Sequence, residues 1–222
     1  MRLLYYYPEK SVALIVKKLQ ELRGADRIRY VRAIAWCDHD DVRSALSLLF
    51  KRTSSRDLMI ACAPGLSGGQ DERVRSTLLR LVRSLPSAED FSVGEGYALL
   101  LGFGRSFPRQ SAEIYSEYLS KDNPQRASTM CYVLRGACKE LDSQLLLPLL
   151  RDKRRAVLQE SAGHYSPRAE EPSIRVCDLA AQTLSLNSPR LKFNMYDNHD
   201  ARNAQIKVMA RQLAASRPVL PL

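Results

Sequence analysis

PSIRVCDLAAQTLSLN (Pro172 to Asn187), read together with DDVRSALSLLF (Asp40 to Phe50) and DERVRSTLLRLV (Asp71 to Val82), decides the fold class of this chain. Val42-Arg43-Ser44 returns as Val74-Arg75-Ser76, and the apolar positions Val42, Leu46, Leu49 and Phe50 recur as Val74, Leu78, Leu81 and Val82. That spacing puts each set on one face of an α-helix. The copies are 32 residues apart, Val42 to Val74, inside the window of roughly 20 to 50 residues at which a repeat signals a stacked array. Two helices and two turns fill that length. In the third segment Ile174, Cys177, Ala181 and Leu184 form one stripe, and Val176, Leu179, Ala180 and Thr183 form a second. Arg175, Asp178, Gln182 and Ser185 make the narrow polar strip left over, which predicts a helix covered by neighbours on both sides.

Outward from these segments the rest of the chain also reads as helix and turn. Pro8 opens a helix carrying Val12, Ile15, Val16, Leu19 and Leu22, and Gly24 closes it. Tyr5 to Tyr7 precede this helix and are expected to cover the end of the array. A second helix, Ala25 to Cys37, turns Ile28, Val31, Ile34 and Ala35 inward, with Trp36 also assigned to the core. A short helix from Ser55 to Ala63 is stopped by Pro64-Gly65. Pro108 starts a helix with Ile114, Tyr115, Tyr118 and Leu119 on its apolar side, and Asp122-Asn123-Pro124 caps the next, which buries Ala127, Met130, Cys131, Leu134 and Cys138. Pro148 in LLLPLL must kink or split its helix, because it removes a donor and crowds the preceding turn. The last helix, Asp200 to Ala214, buries Ile206, Met209, Ala210 and Leu213. Residues 216–222 read as a tail.

Two motifs tempt toward nucleotide chemistry, and their context argues against both. Leu66 to Gln70 spells LSGGQ, the signature of ABC-type ATPases, but that reading needs a phosphate-binding G-x-x-x-x-G-K-[ST], and no glycine here precedes a lysine. Gly94, Gly96, Gly102 and Gly104 never give G-x-G-x-x-G after a strand, so close helix packing explains them better. His39, His164 and His199 lie in separate turns without ligands at metal spacing, and neither G-x-S-x-G nor HExxH occurs. No catalytic residue, cofactor site or metal site is assigned.

Composition sets the remaining bounds. A chain of 222 residues, 45% hydrophobic, can bury a substantial core, read here as one domain over residues 1–222. Its net charge of +10 (34 basic residues against 24 acidic) admits nucleic acid, anionic membrane or acidic protein as partners, although the charge is dispersed through the helices. Cys37, Cys62, Cys131, Cys138 and Cys177 form no C-x-x-C pair and sit in apolar helical patterns, as buried free thiols do. With no apolar run long enough to span a bilayer, the expected location is the cytoplasm. Met1 enters almost directly into LLYYYPEK, which raises the expectation of a longer parent protein; an upstream signal would overturn that location. The longest irregular segment, residues 152–171, is the candidate for a partner contact, with Arg154, Arg155, His164, Tyr165 and Arg168 as the groups.

The acidic turn leading into Val-Arg at Arg43 (Asp40-Asp41-Val42-Arg43) and at Arg75 (Asp71-Glu72-Arg73-Val74-Arg75), the turn Asp122-Asn123-Pro124-Gln125-Arg126, LLPLLRDKR (Leu146 to Arg154) and IRVCDLAAQTL (Ile174 to Leu184) together resemble bacterial HEAT-repeat proteins, including the type related to phycobilin-lyase repeats. The likeness covers most of the chain. It implies a right-handed α-solenoid of about ten helices, with Arg43, Arg75, Arg126 and Arg175 as structural residues bridging neighbouring repeats. It departs from strict two-helix alternation near Leu58 and Tyr97. Such arrays bind macromolecules on a curved face, so the leading expectation is a non-catalytic scaffold for a protein partner or for the rest of a longer chain. The alternative is a nucleic-acid binder with a basic concave face. An enzyme of lyase or glycosylase type stands behind both, resting only on Trp36 beside Asp38.

Overall fold

The computed structural model describes residues 8–66, 71–85, 93–120, 123–136, 142–157 and 173–215. Among them are eleven α-helices, two short 3-10 helices and no strand, which makes the chain all-α. Contacts divide it into two compact units, Met1–Leu85 with Ala98–Gln110, and Pro86–Tyr97 with Ser111–Leu222. Among the described residues no helix is long and apolar enough to cross a membrane. Tyr5 to Tyr7, residues 67–70 of LSGGQ, Asp122, Cys138 and the tail lie outside the described residues.

The first unit contains α1 (Pro8–Glu21), α2 (Gly24–Ile34), α3 (Asp40–Arg52), α4 (Arg56–Cys62) and α5 (Glu72–Arg83), with α6 (Val93–Ser106) from Ala98 onward. Gly24 has φ of +53°, the left-handed region that a residue without a side chain enters at little cost, and the chain turns there from α1 into α2. Helix α2 ends at Ile34, three residues earlier than its periodicity suggests. Trp36 therefore falls beyond the last turn and off the buried face: it is 42% exposed rather than in the core, with the Arg105 guanidinium 6.0 Å above its ring.

The repeated apolar face is buried in both copies. Val42, Leu46, Leu49 and Phe50 of α3, and Val74, Leu78, Leu81 and Val82 of α5, are all removed from solvent. His39 Nδ1 accepts from Asp41 N to cap α3, while Asp71 Oδ1 accepts from Arg73 N and Val74 N to cap α5. Asp71 also pairs with Lys51 Nζ at 2.7 Å, so the cap of the second copy holds the C-terminal turn of the first. The hydrogen bond from Lys51 holds the Asp71 carboxyl below the usual carboxylate range. Ser55 caps α4, and Ala63–Gly65 continues it as one 3-10 turn, fully buried. Gly102 of α6 lies against that turn; a Cβ there would overlap the Ala63 carbonyl oxygen and stand 2.7 Å from its carbon. Close packing thus accounts for this glycine.

The second unit contains α7 (Pro108–Leu119) from Ser111 onward, α8 (Pro124–Gly136), α9 (Asp142–Leu146), α10 (Val176–Asn187) and α11 (His199–Ala215). Asn123 Oδ1 caps α8 by accepting from Gln125 N at 2.7 Å. Pro148 does split its helix: α9 stops at Leu146 and a 3-10 turn runs Pro148–Arg151. Residues 152–157 do not continue a helix. They lie along the approach to α10, with Ala156 N donating to Ile174 O, Val176 N to Arg154 O and Cys177 N to Asp152 O.

Helix α10 is covered on both sides, and more completely than the stripes suggest. Thr183 Oγ1 donates to Cys131 O and Asn187 Nδ2 to Leu134 O, both at 3.0 Å, which fastens it along α8. Arg175 and Asp178, assigned to a polar strip, are buried. Asp178 is fully inaccessible; its Oδ2 accepts from Arg175 N, Arg175 Nε and, at 2.8 Å, Arg202 Nη1 of α11, while Oδ1 accepts from Arg175 Nη2. A third partner in another helix closes this strip over. Periodicity within one helix cannot show that.

Three substitutions test this packing. An exposed helix would gain about 1 kcal/mol from glycine to alanine, but Gly102→Ala should instead destabilise by about 1–3 kcal/mol, because backbone atoms of Ala63 must move; urea titration gives the sign. In the second unit, Asp178→Ala leaves two buried guanidiniums unpaired and should cost about 3–5 kcal/mol. Arg202 has Nε and Nη2 without partners among the described residues, and Arg202→Met leaves one neutral pair. Its melting temperature should lie well above that of Asp178→Ala, and equal losses would refute this charge assignment.

Candidate functional site

A cavity of about 660 Å³ opens in the first unit between α1, α2 and α3. That volume falls within the roughly 300–1,000 Å³ typical of ligand pockets. Helix α3 supplies one wall through Ser44, Leu48 and Arg52, spaced four apart and lying off its buried stripe, so they form a second line along the helix. Ala45 and Leu49 join this wall to the core. Opposite stand Val16, Leu19 and Gln20 of α1, and the connection after α3 adds Thr53 and Ser54 at the rim.

Apolar and basic groups meet in this cavity. Leu48 is 47% exposed, a large aliphatic side chain without full cover from its own unit. Arg27 reaches in from α2, and its Nε is buried without a hydrogen-bond partner. The Arg27 guanidinium also stands near enough to Cys62 to oppose the burial that pushes that thiol up to about 12. Arg52 is exposed at the other wall. Among the described residues neither arginine side chain has a hydrogen bond or ion pair, and no carboxylate lines the cavity. Two guanidiniums beside an apolar floor can hold a carboxylate or phosphate while methyl groups pack beneath them.

The residues singled out from the sequence lie elsewhere. Arg154 is bound by its neighbour, Nε and Nη2 donating to the Asp152 carboxylate at 3.0 and 2.7 Å, and Arg155 is exposed. His164, Tyr165 and Arg168 lie outside the described residues. Arg43 pairs with Asp38 and with Asp40, and Arg75 with Glu72 at 2.6 Å, in each case within the helix or its leading turn. Arg126 is buried, donates to Tyr118 O at 3.3 Å and covers the Tyr118 ring at 4.5 Å. Arg175 joins Asp178 to Asn203 of α11.

Other chemistry is scarce. His199 Nε2 lies 3.0 Å from Ser173 O, His39 caps α3, and among the described residues no group of three potential ligands could hold a metal ion. Burial pushes Cys131 up to about 12 and Cys177 up to about 11, so neither is a thiolate nucleophile at neutral pH. Asp38, considered above beside Trp36, is held by Arg43. Compared with family models, with curated proteins and with solved structures, the chain matches none.

The cavity went unread in the sequence because its walls come from three helices, each contributing one to five residues that are unremarkable alone. One signal was present. In α3 the line Ser44-Leu48-Arg52 puts a leucine and an arginine together outside the buried stripe, where a solvated face would carry polar residues throughout.

Proposed function

We propose that this chain is a non-catalytic helical-repeat module of HEAT-like type that binds a partner protein, and that the cavity between α1, α2 and α3 is part of its binding surface. The observation that carries this reading is Leu48, half-exposed in the wall of a ligand-sized cavity that no carboxylate lines. Helical repeats characteristically offer the grooves between their helices to macromolecules. Burial of the same four apolar positions in both α3 and α5 supports the repeat reading. A right-handed solenoid is the architecture that follows from it.

A second reading, nucleic-acid binding, is favoured by the net charge of +10 and by the exposed Trp36 beneath Arg105, a pair on which an unstacked base could lie. The two readings separate by crosslinking. A photoreactive side chain at position 48 should give discrete protein adducts that nuclease leaves intact, and the same group at exposed position 14, outside the cavity, should give none. Equal adducts at both positions, or nuclease-sensitive ones, would count against the proposal. The solenoid itself is tested by small-angle scattering. A compact domain of this length has a radius of gyration of about 17 Å, and an extended array must exceed it.

A further inference from the structure

We infer that the occupant of the α1–α2–α3 cavity is a short acidic amphipathic helix from a partner protein, held through its carboxylates by Arg27 and Arg52 and through its apolar face by Leu48. This rests on the protein-binding reading above and names the partner's chemistry. The line from Ser44 to Arg52 spans eight helical rises of α3, about 12 Å, which matches two turns of a ligand helix. Two turns present an apolar residue every three or four positions to a groove with an aliphatic floor, and Val16, Leu19 and Leu48 provide that floor.

Charge decides what flanks those apolar positions. The cavity holds two guanidiniums that lack partners among the described residues, and no acid, so a carboxylate entering it gains charge-assisted bonds without displacing an internal one. A basic peptide would set ammonium groups against Arg27 and Arg52. The aliphatic floor favours a carboxylate carried on an apolar helix over a phosphate, which has no apolar face to set against Leu48.

The test is a fluorescence anisotropy titration with three labelled peptides of about fifteen residues, a length at which a helix is marginal alone and can form on binding. One carries leucines at helical spacing flanked by glutamates. The second has those glutamates changed to glutamine, and the third keeps the composition of the first with the leucine stripe scrambled. The first should bind best, and Arg52→Gln and Arg27→Gln should each weaken it about tenfold or more. Leu48→Asp should abolish binding. Arg52 and Leu48 are exposed, so these variants should keep the parent circular dichroism and melting temperature even if Arg27→Gln perturbs the fold. Equal binding of the glutamine peptide, with no loss in Arg52→Gln, overturns the acidic partner but leaves the groove as a protein site. Binding that Leu48→Asp does not affect, or no binding by any peptide, overturns this inference. Position-48 crosslinks that persist would then preserve the broader reading. Competition by inorganic phosphate or a single-stranded oligonucleotide as strong as by unlabelled peptide assigns the site to phosphate, and also overturns it.

Discussion

The carboxylate of Asp178 is the constraint on which the second unit depends. It sits without solvent access at the start of α10 and takes the backbone N–H of Arg175, two nitrogens of the Arg175 guanidinium and one of Arg202. One side chain thereby starts α10, fixes the residue that precedes it and fastens α11. Buried ion pairs contribute little net stability against a well-packed apolar alternative. Removing the common acceptor is nevertheless expensive, because both guanidiniums are then stranded. The direction in which α10 leaves is thus fixed, and Thr183 and Asn187 meet carbonyls of α8 two turns further on.

The first unit is held differently. Its two apolar copies, on α3 and α5, bury aliphatic faces, and its polar links, such as Lys51 with Asp71, lie at partly exposed ends. Exposed pairs of this kind are worth little in stability. Close approach gives the unit its specificity, with Gly102 against the Ala63 carbonyl and Arg105 Nη1 donating to Pro64 O at 2.8 Å. Both contacts converge on the 3-10 turn after α4.

What the sequence made legible was whatever one helix can report about itself. The eight repeated apolar positions and the split at Pro148 follow from local pattern and backbone chemistry, and both are present in the fold. Features that need a second element were misread or missed. Trp36, read as core in a helix running to Cys37, lies beyond the residue where α2 stops and is exposed. Arg175 and Asp178 were assigned to a polar strip because their third partner, Arg202, is 24 positions from Asp178 on another helix. The cavity escaped for the same reason, its walls being drawn from α1, α2 and α3 together. Hydrophobic period reports that a face is covered but not what covers it, so ion clusters and grooves lie beyond it.

That distinction bears on the two sets of arginines. In the second unit the excess guanidinium, Arg202, is sealed away with its nearest acid already bound to it, and its unsatisfied nitrogens can be reached only by rearranging the core. In the first unit Arg27 and Arg52 meet in a cavity open to a ligand. An unpaired buried donor costs about 1–3 kcal/mol, and Arg27 Nε is such a donor. A ligand that supplies a carboxylate gains most where the donors are already placed and unpaired, since no internal bond must break before the new one forms.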